Sequence, residues 1–170
     1  MSSYLSYSDD VKKLSVWTVD KRELEKRASE EGATVECIVS DAVAKYLNID
    51  PKSRAEIHIS LCDRYLSDAE ARISEDDYVQ ASEKGWGAAS QAVKAVALSR
   101  EGKELRAHGE LWEYVNKLRK ELKEPAINKL WFSANSLHTN FYERWLTKDQ
   151  VEDALKDVKE FVNRLKEIIQ

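Results

Sequence analysis

The stretch that decides the fold is residues 77–100, DYVQASEKGWGAASQAVKAVALSR. Ser74 to Asp77 read as a short turn, and Gly102 ends the segment, so a helix is expected over about 76–100. Its apolar face is made of small residues: Ala81, Gly85, Ala88, Ala89, Ala92, Val93 and Val96. Small side chains let helix axes approach closely, which marks this segment as the central helix of a bundle. Gly85-Trp86-Gly87 with Ser90 carries part of a GxGxxG pattern. A phosphate cradle needs a strand–turn–helix context, so these glycines are assigned to close packing.

Helices are expected on both sides. Asp50-Pro51 pairs a capping acid with proline at the first helical position. The helix it opens carries Ala55, Ile59, Cys62, Leu66, Ala69 and Ile73 on one stripe. Downstream, Leu111, Trp112, Val115, Leu118 and Leu122 define a fifth helix, stopped before Pro125. A sixth runs to about Trp145, with Ile127, Leu130, Trp131, Ala134, Leu137, His138, Phe141 and Trp145 inward. Thr147 with Gln150 is a capping box for the last helix, whose stripe is Val151, Leu155, Val158, Val162, Leu165 and Ile169. Upstream, Asp20 caps a helix from Lys21 to about Glu31, and Thr34 opens another to Leu47. Residues 14–19 alternate as a strand. The expectation is an all-α protein: an up-and-down helical bundle over 51–170 after a strand–helix–helix segment over 1–50.

A chain of 170 residues buries enough surface to fold without a disulfide or a structural metal. Cys37 and Cys62 make no disulfide framework and suit a reducing compartment. The net charge of −4 argues against a broad nucleic-acid footprint or an anionic-membrane binder. The N-terminus lacks the basic-then-apolar run of a signal peptide, and no apolar run is long enough to span a bilayer. A cytoplasmic protein with no membrane partner is expected.

Several chemistries lack their residues. There is no GxxxxGK[ST] loop, and none of His58, His108 or His138 follows a glutamate at the spacing of a di-iron bundle. His58 and Cys62 lie one turn apart, but no second pair completes a metal site. No metal and no cofactor are expected. The eight bases of residues 100–130 stand against six acids, which reads as a solvated face. One constellation remains. Asn135, His138 and Tyr142 fall at i, i+3 and i+7 of the sixth helix, and Gln80, Glu83, Lys84 and Trp86 are available on the central one. Polar groups on an inward stripe need partners. They form either a network that fixes register or a pocket in which His138 handles a proton or a phosphate.

The run Asp77 to Ala89 resembles the hallmark segment of an archaeal family of uncharacterised helical proteins, the PaREP type. Leu137-His138-Thr139-Asn140-Phe141-Tyr142-Glu143 resembles that family's second signature. The resemblance covers about residues 50–165 and implies a bundle related to the HEPN superfamily. Members of that superfamily are often dimers. Many are nucleotide-binding partners or metal-independent endoribonucleases in toxin–antitoxin and defence systems. Their ribonuclease signature is an arginine, four to six intervening residues, and then a histidine. Here Lys103 has that spacing before His108, Lys52 before His58, and no base before His138. Lysine lacks the bidentate grip of arginine on a phosphate.

Residues 1–50 resemble a ribbon-helix-helix domain, with Ser15 and Trp17 outward and Lys13 just before. Seven bases against ten acids make that segment a poor DNA reader and favour a dimerisation ribbon. The reading is a homodimeric module for a nucleotide, RNA or a protein partner of antitoxin-like or nucleotidyltransferase-like kind. Its site would be Glu83, Lys84, Trp86, His138, Asn140 and Tyr142. One alternative is a ribonuclease with His138 or His108 as base and Lys103 or Arg144 as phosphate stabiliser. Another is a DNA-binding regulator acting through the ribbon.

Overall fold

The computed structural model describes residues 20–31 and 33–169. Among the described residues the regular structure is helical: α1 (Lys21–Glu30), α2 (Val35–Tyr46), α3 (Pro51–Ser74), α4 (Tyr78–Glu101), α5 (His108–Leu122), α6 (Ala126–Glu143) and α7 (Lys148–Ile169). The strand expected at 14–19 lies outside them.

The helices begin where their capping chemistry places them. Asp20 accepts from the Arg22 N–H at 2.9 Å, Thr34 from that of Cys37 at 3.2 Å, and Asp50 from those of Lys52 and Ser53 at 3.0 Å. Gly102, at φ 61°, closes α4 in the left-handed conformation that glycine adopts at little cost.

α4 packs against α3, α5, α6 and α7 and is buried continuously from Gly85 to Leu98. Its small residues make this feasible, since a larger residue would collide with the surrounding helices. A Cβ on Gly85 would come within 2.6 Å of Leu137 and Leu155. One on Gly87 would come within 3.0 Å of the Tyr65 ring. The main core gathers Trp131, Tyr114, Phe161, Leu111, Leu118, Leu137 and Leu165 around it. α1 and α2 pack together as a hairpin at one side of α3.

One expectation about a helix face is extended and another is corrected. The buried side of α3 holds Arg54, His58 and Tyr65 along with Ala55, Cys62 and Ala69, while Ile59, Leu66 and Ile73 are half-buried. The polar members of that side meet Thr34, Asp41, Gln91 and Glu104. α6 ends at Glu143, and Arg144 adopts φ 55°. That turn leaves Trp145, expected inward, 64% exposed and leaves Asn140 buried.

Candidate functional site

Two clefts lie where the α1–α2 hairpin meets the bundle. The first contains most of the residues singled out from sequence. Trp86 of α4 stacks on His138 of α6 at 4.5 Å between ring centroids and on His108 of α5 at 5.6 Å. The two imidazoles are 4.7 Å apart, and Tyr142 meets His138 edge-on at 5.3 Å. Glu83, Trp86, His138 and Tyr142 line this aromatic cleft together with Thr34 and Phe141. Its volume is about 40 Å³, so the rings fill the space themselves. Among the described residues the buried Nε1 of Trp86 and Nε2 of His108 have no hydrogen-bond partner. Burial, reinforced by His108, lowers the His138 pKa to about 4. Burial and the nearby charge of Lys94 also pull His108 down. Both rings are therefore neutral at pH 7.

Two of the six residues read as ligand contacts lie elsewhere. Lys84 sits over the Tyr65 ring, 5.4 Å from its centroid. Asn140 donates to Ser82 Oγ at 2.9 Å, and its Oδ1 accepts from the Trp145 and Leu146 N–H groups at 2.9 and 2.7 Å. This side chain fixes the α6–α7 turn. Asn135 is half-buried and lines neither cleft, and Lys103 and Arg144 are exposed and line neither.

The second cleft, of about 200 Å³, is charged. Arg54 and His58, one turn apart on α3, form its floor with Lys94 of α4. Their exposures are 8%, 3% and 3%, which is rare for bases unless each is paired. Arg27, Lys45 and Arg106 stand around them with the carboxylates of Glu31, Asp41 and Glu104. Glu104 accepts from Arg54 Nη1 at 2.8 Å and pairs with Lys45 and Arg106 at 2.7 Å. Burial opposes the charge of Glu104, but these three cations hold its carboxyl down to about 2. Arg27 pairs with Glu31 at 2.7 Å.

His58 donates from Nδ1 to Gln91 Oε1 at 2.6 Å, while its Nε2 lies 3.4 Å from Asp41. Burial would lower its pKa, yet hydrogen bonding to Asp41 and Cys37 outweighs this and raises it to about 9. His58 is thus an imidazolium at pH 7. Gln91 also reaches Cys37, with Nε2 3.1 Å from Sγ. Cys62 lies in the core, where burial pushes its thiol up to about 12. Among the described residues no three His, Cys, Asp or Glu side chains gather to hold a metal.

Two cations of the charged cleft are incompletely paired. Among the described residues the buried Arg54 Nε has no hydrogen-bond partner, and its Nη2 meets Asp41 only as an ion pair at 3.8 Å. Lys94 forms no ion pair with the acids of this cleft. Sequence reading passed over these residues because it followed apolar stripes. The available signal was polar: Arg54 and His58 at i, i+4, and Gln91 and Lys94 at i, i+3, inside helices otherwise lined with small apolar residues.

A model of the archaeal PaREP1/PaREP8 family matches residues 57–162, more than half of the chain. The chain belongs to that family. The PaREP1/PaREP8 segment takes in His58, Trp86, Gln91, Lys94, His108 and His138, while α1, α2, Asp41 and Arg54 lie before it. The ribbon-helix-helix resemblance of residues 1–50 draws no support from this match. The crystal structure of a Sulfolobus solfataricus protein is similar at 28% identity and a TM-score of 0.57, covering 65% of this chain and 97% of that one. No curated protein matches the PaREP1/PaREP8 chain. Among its described residues no helix is long and apolar enough to cross a membrane.

Proposed function

We propose that this chain is a homodimeric, HEPN-like binding module that holds a phosphate-bearing ligand, a nucleotide or RNA, in the charged cleft without turning it over. The observation that carries this reading is the buried Lys94, which pairs with no acid of the cleft, beside Arg54, which Glu104 and Asp41 pair but whose buried Nε lacks a hydrogen-bond partner among the described residues. A buried charge is costly unless paired, so Lys94 favours an anion there. The phosphate contact expected of Lys84 is moved to Lys94.

The ribonuclease alternative needs a neutral histidine beside a cation that grips the phosphate. His108 and His138 are neutral but line the wrong place, and His58, in the right place, is protonated. Binding without cleavage is the better-supported function.

A thermal-shift series in EDTA, with nucleotides and short RNAs, tests it. A ligand at 100 times its Kd adds about 2.7 kcal/mol, roughly a 5–10 °C rise in Tm for a chain of this size. The rise should vanish in Lys94→Met. A flat response from every nucleotide and RNA overturns the proposal, and light scattering tests the dimer.

A further inference from the structure

We infer that the charged cleft takes a terminal phosphate monoester, inserted end-on, in preference to a phosphodiester or a carboxylate. This rests on the reading of the cleft as an anion site and concerns which anion it selects.

Charge is the first argument. Six basic side chains, His58 included, face three carboxylates in the cleft. Arg27 is matched by Glu31 and His58 by Asp41, while Lys45, Arg54 and Arg106 share Glu104. Lys94 has no carboxylate of its own among the described residues of the cleft. With His58 protonated, six positive charges less three negative ones leave an excess of three. The whole chain, by contrast, carries −4. A monoester dianion offsets two of these charges, whereas a diester or a single carboxylate offsets one.

Donor geometry points the same way. Arg54 adds a buried Nε–H with no partner among the described residues, its Nη1 being bonded to Glu104 and its Nη2 lying 3.8 Å from Asp41, while Lys94 pairs with no acid of the cleft. A monoester presents three terminal oxygens to such separate donors, and a diester two. Size supplies the end-on constraint. At about 200 Å³ the cleft is smaller than the roughly 300–1,000 Å³ that enclose a drug-sized ligand, so the phosphate enters and its carrier stays outside.

Titration calorimetry of the full chain at pH 7 tests this with methyl phosphate, dimethyl phosphate and malonate. Methyl phosphate should bind at least tenfold more tightly than either of the others. Adenosine 5′-monophosphate and a hexanucleotide RNA with and without a 5′-phosphate then separate a free nucleotide from an RNA end. Lys94→Met should weaken methyl phosphate at least tenfold, and Lys156→Met on exposed α7 should leave it unchanged. Lys94→Arg, which keeps the charge, should retain binding within tenfold and serves if Lys94→Met does not fold. Equal binding of methyl and dimethyl phosphate, or tighter binding of malonate, overturns the monoester inference while the anion site stands. No binding by any of the three overturns both.

Discussion

Gln91 accepts a hydrogen bond from His58 across the α3–α4 contact, at 2.6 Å between Oε1 and Nδ1. The same amide reaches Cys37 on α2, so one side chain joins three helices. With Gln91 on one nitrogen and Asp41 facing the other, the imidazolium meets an acceptor at each N–H. The charge on His58 is therefore built into the architecture of the cleft floor.

Gln91→Leu should leave the His58 N–H and the Cys37 thiol without their partner inside the protein. Losing one side of a buried hydrogen bond costs about 1–3 kcal/mol. At about 2 kcal/mol the Tm should fall by roughly 4–8 °C. An unchanged melting curve would show that the network adds nothing to stability.

The histidines should give stability two opposed pH limbs. The folded pKa of His58 is raised from 6.5 to about 9, so its contribution is complete below pH 6.5 and is lost as pH rises towards 9. It amounts to at most about 3 kcal/mol. His138 is lowered to about 4, so its contribution is complete above pH 6.5 and is lost as pH falls towards 4. Tm measured from pH 4 to 10 should show the alkaline limb flattened in His58→Gln and the acid limb flattened in His138→Phe. A profile in which either substitution shifts both limbs equally contradicts these assignments.

Gly85→Ala and Gly87→Ala should fail in different ways. At Gly85 the new Cβ meets Leu137 and Leu155 in the core. Overpacking of about 1–3 kcal/mol is partly offset by about 1 kcal/mol of helix propensity. At Gly87 it meets the rigid Tyr65 ring, whose hydroxyl is held by Thr34 at 2.5 Å. Displacing Tyr65 loosens the α1–α2 hairpin, so limited proteolysis between residues 20 and 50 should quicken in Gly87→Ala. It should stay at the wild-type rate in Gly85→Ala.

Asn140→Ala should cost about 2–4 kcal/mol, because Ser82 and two backbone N–H groups lose a buried partner. Methyl phosphate affinity should be unchanged, since Asn140 lines neither cleft. Stable protein with lost binding would reverse this assignment.

The helices were legible because their signals are local. Asp20, Thr34 and Asp50 cap where expected, and the small residues of α4 mark it as central. The stacking partners Trp86 and His138 were also legible, standing on the two helices with aromatic and polar residues on one face. His108 as the third ring was not, because its place depends on how α5 meets α4 and α6. Arg54 and Lys94 were missed for a related reason. Their role depends on Glu104 and Asp41, which are distant in sequence, and a stripe of apolar positions carries no information about polar ones between them. Asn140 looked like a ligand contact because the left-handed turn at Arg144, which supplies its backbone partners, has no glycine to announce it.

Glu104 lies on the link between α4 and α5, and it meets cations from α2, from α3 and from the link itself. Surface connections usually tolerate added or deleted residues. This one has a fixed length. An insertion between Gly102 and Ala107 would shift the register of one carboxylate and unfasten three segments of the chain together. Among variants of this sequence, that short link should be as resistant to length change as the helices it connects.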